Sequence, residues 1–301
     1  MESAVSLPVD LESIRSALLT WYEHNKRPIP WRQTTDPYPI LVAEVMSQQT
    51  QLSRVITPYK RFIEKWPTVE DLAKASLADV ISFWSDHSLG YNSRARYLHE
   101  SANLVVDEFQ GSFPRTPDEL KTLPGVGPYT ANAVASFAFN NGNGVVDTNV
   151  KRILYRAFGV PDDQNAFRAA ANEFLPEGNS RLWNNAVMEL GGTVCQKTPA
   201  CDEGKCPFRE WCLAYSSGDF KAPDVPQQSR FSGSRRQYRG RVISELSGGS
   251  TYTLADLGPV VRADYCDHDD RPWLLGLLED LEAEGLVSVD RSEDEIEITL
   301  A

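Results

Sequence analysis

The stretch from Leu120 to Asp147 restricts the possible fold more than any other part of the chain. Pro124-Gly125-Val126-Gly127 is a turn. Pro128 follows it, and proline suits the first position of a helix, where its missing N–H would be unpaired anyway. Ala131, Val134, Ala135 and Ala138 then recur at helical spacing. A short helix before the turn and a small-residue helix after it make a helix–hairpin–helix. The glycines let the hairpin backbone approach a phosphate, and the free N–H groups at the following helix start attract an anion. Taken alone, the turn also reads as a glycine-rich connection with no ligand. A polar Asn/Gly loop then leads to Val145-Val146-Asp147.

A chain of 301 residues has room for more than one domain. Charged residues at 24% and aromatics at 10% describe a globular chain with material for a core. No apolar run approaches the length of a membrane span, and Met1 is followed by acidic and polar residues rather than a signal-peptide pattern. Four of the five cysteines crowd between Cys195 and Cys212, which is not a disulfide framework and points to a reducing, cytoplasmic setting. The net charge of −12, from 30 Lys+Arg against 42 Asp+Glu, argues by itself against a nucleic-acid partner. Arginine-rich pieces at Arg94-Ala95-Arg96, Lys151-Arg152 and Arg235 to Arg241 still allow a local basic surface on an acidic body. Excess acid also fits a high-salt cytoplasm.

Helical spacing of apolar residues recurs from Asp10 to Gly191, broken by turns with Pro or Gly, and no alternating strand pattern occurs before about residue 285. The first two-thirds is therefore expected to be all-α. Residues 1–215 are read as one domain, with a six-helix part at about 31–140 and a second part formed by about 8–30 with 141–213. Residues 216–237, poor in aliphatics, read as a linker. Residues 238–301 read as three helices (239–246, 254–262, 272–284) and two alternating strands, 286–290 and 295–300. That order suggests a winged-helix-like α+β module.

Cys195, Cys201, Cys206 and Cys212 are spaced C-x5-C-x4-C-x5-C, a metal or cluster signal in which zinc competes with iron–sulfur. Glu44 sits mid-helix beside Val42, Val45 and Met46. Burial there would raise its pKa and suit it to general-acid work near neutral pH. Asp147 precedes Thr148-Asn149-Val150 and reads equally as a helix N-cap.

Together, Glu44-Val45-Met46-Ser47-Gln48-Gln49-Thr50-Gln51, Leu89-Gly90-Tyr91, Leu123 to Thr130, Val146-Asp147-Thr148-Asn149-Val150-Lys151-Arg152 and the four cysteines resemble the adenine DNA glycosylases of the MutY family. That family belongs to the helix–hairpin–helix glycosylase superfamily with endonuclease III. The resemblance runs from about residue 8 to residue 213. It implies a mainly α, helix–hairpin–helix DNA glycosylase fold with a cluster loop. It also implies a monofunctional, monomeric base-flipping enzyme that releases adenine mispaired with guanine or 8-oxoguanine in double-stranded DNA, with no membrane partner. A thymine or uracil mismatch glycosylase and a non-catalytic Fe–S DNA-binding protein are the alternatives.

By the same resemblance Glu44 protonates the flipped adenine and Asp147, ionised, stabilises the sugar cation. Asn149 positions the site. Tyr129 stands where bifunctional relatives carry a lysine nucleophile. Arg32 lies near the base. Gln48 favours adenine, and Gln49 and Tyr91 wedge into the stack. Gly125, Val126 and Gly127 form the phosphate-binding hairpin, and Cys195, Cys201, Cys206 and Cys212 hold a [4Fe–4S] cluster. The cysteine spacing, Thr148 and Asn92 depart from the family pattern. The tail is also too short and too helical for the Nudix-type domain that family members usually carry. It is expected to hold DNA phosphates through Arg235, Arg236, Arg239 and Arg241. Its acidic stretches, Asp264 to Asp270 and Glu279 to Glu284, are expected to face away from the duplex or toward a protein partner.

Overall fold

The apolar spacing of the chain produces helices through most of its length. In chain order these are α1 (Leu11–Asn25), α2 (Pro37–Ser47), α3 (Leu52–Lys65), α4 (Val69–Lys74), α5 (Leu77–Asp86), α6 (Ser93–Phe109), α7 (Pro117–Leu120), α8 (Pro128–Phe139), α9 (Thr148–Phe158), α10 (Gln164–Phe174), α11 (Ser180–Thr193) and α12 (Leu213–Ser217). The C-terminal module adds α13 (Arg235–Leu246), β1 (Tyr252–Thr253), α14 (Leu254–Val261), α15 (Asp267–Ala283), β2 (Val287–Asp290) and β3 (Glu297–Leu300). The computed structural model describes residues 10–201, 205–224, 229–292 and 295–301. The signal-peptide reading of residues 1–9, and parts of the cysteine loop, linker and ribbon turn, lie outside the described residues. No described helix is long and apolar enough to cross a membrane.

Two compact units form. The first comprises Met1–Glu44, Pro114–Thr122 and Val126–Gln227. In it α1, capped by the Asp10 carboxylate at Ser13 N, buries Ile14, Leu18 and Tyr22. These meet a core drawn from α9, α10 and α11, including Ile153, Phe167, Phe174, Trp183 and Leu190. The loop between α8 and α9, which ends at Asp147, has little apolar material of its own. Buried Asn184 of α11 holds it instead. Its carbonyl accepts from Val145 N at 3.1 Å, and its amide donates to Asn143 O at 2.9 Å and Ser136 Oγ at 2.8 Å. The Val145 N–H it pairs would otherwise be buried without a partner.

The second unit comprises Val45–Phe113, Leu123–Gly125 and Gln228–Ala301. Its α4 and α5 pack on α6. Edge-on contacts among Phe62, Trp66 and Phe83 fill the space beside α3. In the C-terminal module α13 packs on α5. The sheet is antiparallel in the order β1-β3-β2, with Val289 opposite Ile298 and both buried. The expected three helices and ribbon are present. The ribbon gains a third strand, β1, whose two residues are too short to show alternation in the sequence.

The tail's arginines are not arranged as expected. Arg235 pairs with Asp280 at 2.6 Å and Arg239 with Glu284 at 2.6 Å. The two arginines are spaced i, i+4 on α13 and the two carboxylates i, i+4 in the α15 region, so one turn of each helix meets one turn of the other. Arg241 donates to Val261 O at 2.8 Å. The Glu279 to Glu284 stretch therefore neutralises part of the segment expected to hold phosphate. Arg94, counted with the basic surface, is buried.

Asn184→Leu should lower stability by ~1–3 kcal/mol in urea titration, the cost of leaving buried donors and acceptors unpaired. The slope with denaturant should not change, because the surface exposed on unfolding is the same.

Candidate active site

Three helices of the first unit converge their chemistry. Tyr38 through Met46 of α2 are buried on every side of the helix, so Glu44 has no aqueous face to turn toward and is only 7% exposed. Tyr129 is the second residue of α8, directly after the hairpin. Asp147 is the N-cap of α9. Its carboxylate accepts from Val150 N at 2.7 Å and from Asn149 Nδ2 at 2.9 Å. The N-cap reading and a place in the site thus hold together for the same residue.

Burial pushes the Glu44 carboxyl from its ordinary 4.5 up to about 7. A hydrogen bond from the Tyr129 hydroxyl opposes that rise, the charge of Asp147 adds to it, and the more distant Arg32 opposes it. Burial also raises Asp147, although the residue as a whole keeps some accessible surface. There the α9 N–H groups, Asn149 and the charge of Arg152 all pull the other way. Tyr129 is held well above its usual range, first by burial and then by the carboxylates of Glu44 and Asp147, so it stays a neutral phenol. Near neutral pH, then, one carboxyl readily holds a proton and its neighbour carries donors that favour the ionised form.

Two further carboxylate contacts order the surroundings. Glu189 of α11 is fully buried and binds Arg27 Nε at 2.6 Å and Arg32 Nη1 at 2.5 Å. Burial raises its pKa, but the bonds and charges of Arg27 and Arg32 outweigh that and leave it lowered. Glu189 therefore fixes Arg32, whose guanidinium also faces the Tyr22 ring at 6.0 Å. Sequence reasoning missed Glu189, although it sits between Val187 and Leu190 with the same signature as Glu44. Asn149 Oδ1 accepts from Arg152 Nη2 at 2.7 Å, and that guanidinium continues to Gly191 O at 2.8 Å and Cys195 O at 2.6 Å. Gly191 is required there: a Cβ would lie 2.5 Å from Asn149 Cβ.

Cys195, Cys201, Cys206 and Cys212 line one cavity with Arg156 and Phe208. Burial pushes the Cys206 thiol up to about 12, and the three other cysteines raise it further, while the Phe208 N–H opposes. N–H groups of Tyr215 and Ala214 do the same for Cys212. Arg156 closes the wall. It donates to Gln196 O and Phe220 O at 2.6 Å each, and its Nη1 lies 3.9 Å from Cys195 Sγ. Among the described residues no group of three or more His, Cys, Asp and Glu is placed to hold a metal ion as it stands. The four thiols line one common cavity instead.

The remaining expected residues belong mainly to the second unit. Gln49 (φ +54°) and Tyr91 (φ +48°) both have left-handed backbone, and both are exposed. Arg94, also missed, fastens their loops. Its Nη1 donates to Val45 O at 2.9 Å and Gln48 O at 2.6 Å, and its Nη2 donates to Leu89 O at 2.7 Å and Gly90 O at 3.0 Å. In the hairpin, Gly125 (φ +72°) would place a Cβ 2.7 Å from Tyr97 Cβ, so no side chain fits. Gly127 is exposed and caps α8, whereas the Val126 side chain is buried, leaving only its backbone to face a ligand.

A helix–hairpin–helix that delivers a tyrosine, with an N-cap aspartate and a buried glutamate, defines a class of DNA repair protein. The family model described as "HhH-GPD superfamily base excision DNA repair protein" matches residues 42–177. The chain is 40% identical over 260 residues to the adenine DNA glycosylase of Mycolicibacterium smegmatis, covering 84% of this chain and 87% of that one. It is 42% identical to the mouse adenine DNA glycosylase over 222 residues, 68% of this chain but only 42% of the mouse protein. A thermostable thymine-DNA glycosylase superposes with a TM-score of 0.63 at 30% identity, over 69% of this chain and 97% of that one. The chain belongs to the adenine DNA glycosylase family.

Glu44→Gln should stabilise the protein above pH 7. The folded carboxyl titrates near 7 and the unfolded one near 4.5, so the folded state holds more protons between these values. Wild-type stability from this group is full below the lower value and falls as pH rises to the higher one. Denaturation of the two proteins should show a gap of ~1–3 kcal/mol above pH 7, closing toward pH 4.5.

Proposed function

We propose that this chain hydrolyses the N-glycosidic bond of adenine mispaired with guanine or 8-oxoguanine in double-stranded DNA, acting on a nucleotide flipped from the stack. The observation that carries the reading is the Glu44–Tyr129–Asp147 group: burial raises both carboxyls and brings Glu44 to about 7, while Asp147 alone holds backbone and amide donors that oppose the rise. Glu44 gives its proton to a ring nitrogen of the adenine, so the base leaves neutral. Asp147 stabilises the positive charge that develops on the sugar. Water adds to the anomeric carbon, and its proton returns to the Glu44 carboxylate. Tyr129 supplies no amine, so no Schiff base forms and the product is an abasic site. Arg32, fixed by Glu189, lies at the base; Asn149 orients Asp147. Gln48, Gln49 and Tyr91 engage the opened duplex, and the backbone of Gly125, Val126 and Gly127 takes a phosphate.

The four cysteines fit a [4Fe–4S] cluster, because they line one cavity that N–H donors and Arg156 complete. Cys195, Cys201, Cys206 and Cys212 would hold such a cluster, which would cross-link the 195–212 loop to itself, and no step of base release passes through it. The likeness to a thymine-DNA glycosylase structure favours one second reading, a thymine or uracil mismatch glycosylase. Single-turnover assays on A:8-oxoguanine, A:G, T:G and U:G duplexes separate the two; release from T:G or U:G alone would replace the adenine reading.

Glu44→Gln should lose at least ~10²-fold in base release while retaining affinity for the mismatched duplex, since an amide cannot supply the proton. Unimpaired turnover would remove Glu44 from the role given to it. Cys206→Ser should lose the visible absorbance of the purified protein together with its iron and sulfide; zinc in their place would show that the cavity holds a different metal.

A further inference from the structure

Tyr91 stands among guanidinium groups from two distant parts of the chain. Arg94 lies 5.3 Å and Arg236 5.6 Å from its ring centroid, and Arg236 Nη1 donates to the Tyr91 hydroxyl at 2.8 Å. The same Arg236 guanidinium lies 5.4 Å from the Phe231 ring and donates to Ser229 O at 3.3 Å. The result is a ladder, Arg94–Tyr91–Arg236–Phe231, with alternating cationic and aromatic planes. Tyr91 is 37% exposed and Phe231 55% exposed. Arg236 is on α13, whose packing on α5 is joined by a bond from Gly248 N to Ser82 Oγ at 3.3 Å. The ladder thus follows from docking of the C-terminal module within its unit. Left-handed backbone is costly for a tyrosine and persists only when its surroundings enforce it. Arg94 fastens the loop from beneath; Arg236 holds the side chain by its hydroxyl.

We propose that the C-terminal module is part of the DNA-engaging surface: Arg236 is a positioning residue that presets Tyr91 for entry into the duplex, and Phe231 offers a second ring to an unstacked nucleobase. Exposed aromatic rings beside guanidinium planes are how proteins hold bases outside a helix, with little dependence on sequence. Because the Arg236 guanidinium is committed to Tyr91, Ser229 and Phe231, its contribution is to geometry rather than to phosphate neutralisation. The inference rests on the proposed reading of Tyr91 as a residue that enters the stack.

The test uses the full chain and a duplex with one A:G mismatch. The adenosine carries a 2′-fluoro sugar that resists cleavage, and 2-aminopurine beside it reports unstacking. Tyr91→Ala should abolish the fluorescence gain. Arg236→Ala and Arg236→Lys should each lower it and reduce the preference for mismatched over matched DNA about tenfold, the size of one charged hydrogen bond. Phe231→Ala should reduce the preference severalfold. The Tyr91→Ala, Arg236→Ala double variant should be no worse than Tyr91→Ala, and the salt dependence of binding should not change with Arg236→Ala. Normal unstacking and preference in Arg236→Ala beside a defective Tyr91→Ala would overturn this inference alone. So would a uniform loss on both duplexes with a salt slope lower by about one, the mark of a phosphate contact, or losses that multiply in the double variant. Full unstacking by Tyr91→Ala would remove the reading of Tyr91 itself, and this inference with it.

Discussion

A carboxyl group taken out of water resists ionisation, and two such groups in one another's field resist it further. The first unit withdraws three from water, two of them almost fully and Asp147 in part, and treats each differently. Glu189 is ionised against Arg27 and Arg32, with its pKa lowered despite burial. Asp147 is raised by its burial, and the N–H donors of α9, the Asn149 amide and the charge of Arg152 oppose that rise. Glu44 receives one phenol and the field of a more distant arginine, which is too little to offset its burial, and its pKa settles at about 7. The difference lies in what each backbone offers. A helix N-terminus supplies unpaired N–H groups to Asp147; the middle of α2 supplies none to Glu44. The buried α2, the hairpin that sets Tyr129 and the loop pinned by Asn184 all serve to keep that asymmetry.

Much of this was legible in the sequence. Apolar spacing gives the helices, the Pro-Gly-Val-Gly turn gives the hairpin, and a carboxylate in an apolar run marks Glu44. The same signature stands at Glu189, which passed as an ordinary helical position because its two arginine partners lie more than 150 residues away in the chain. Arg94 was hidden for a related reason. An arginine near others reads as surface, and only the fold shows five backbone carbonyls converging on it. The partners of the tail arginines were out of reach because register is invisible in sequence. Nothing in the sequence aligns Arg235 and Arg239 with Asp280 and Glu284; that match exists only once α13 and α15 are paired.

Those pairings also change the meaning of the charge balance. Arg94, Arg235, Arg239 and Arg241 are engaged with carbonyls and carboxylates of the chain itself, which weakens their diffuse attraction to phosphate. On the proposed function, its nucleic-acid surface would depend on local geometry: backbone N–H groups at the hairpin, and guanidinium–aromatic stacking around Tyr91. Arginine suits the second task because its planar guanidinium stacks on a ring and hydrogen-bonds in the same plane.

The central claim of the proposed function, that Glu44 is protonated and Asp147 ionised near neutral pH, is tested most directly by infrared spectroscopy of the carboxylic-acid carbonyl band. Subtracting spectra of the Glu44→Gln and Asp147→Asn variants from that of the unaltered protein assigns each group. A Glu44 acid band present at pH 6 and lost on titration through about 7, with no Asp147 acid band at neutral pH, is the result the proposed division of roles predicts. A Glu44 already ionised at pH 6, or an acid band at neutral pH that belongs to Asp147, would contradict it.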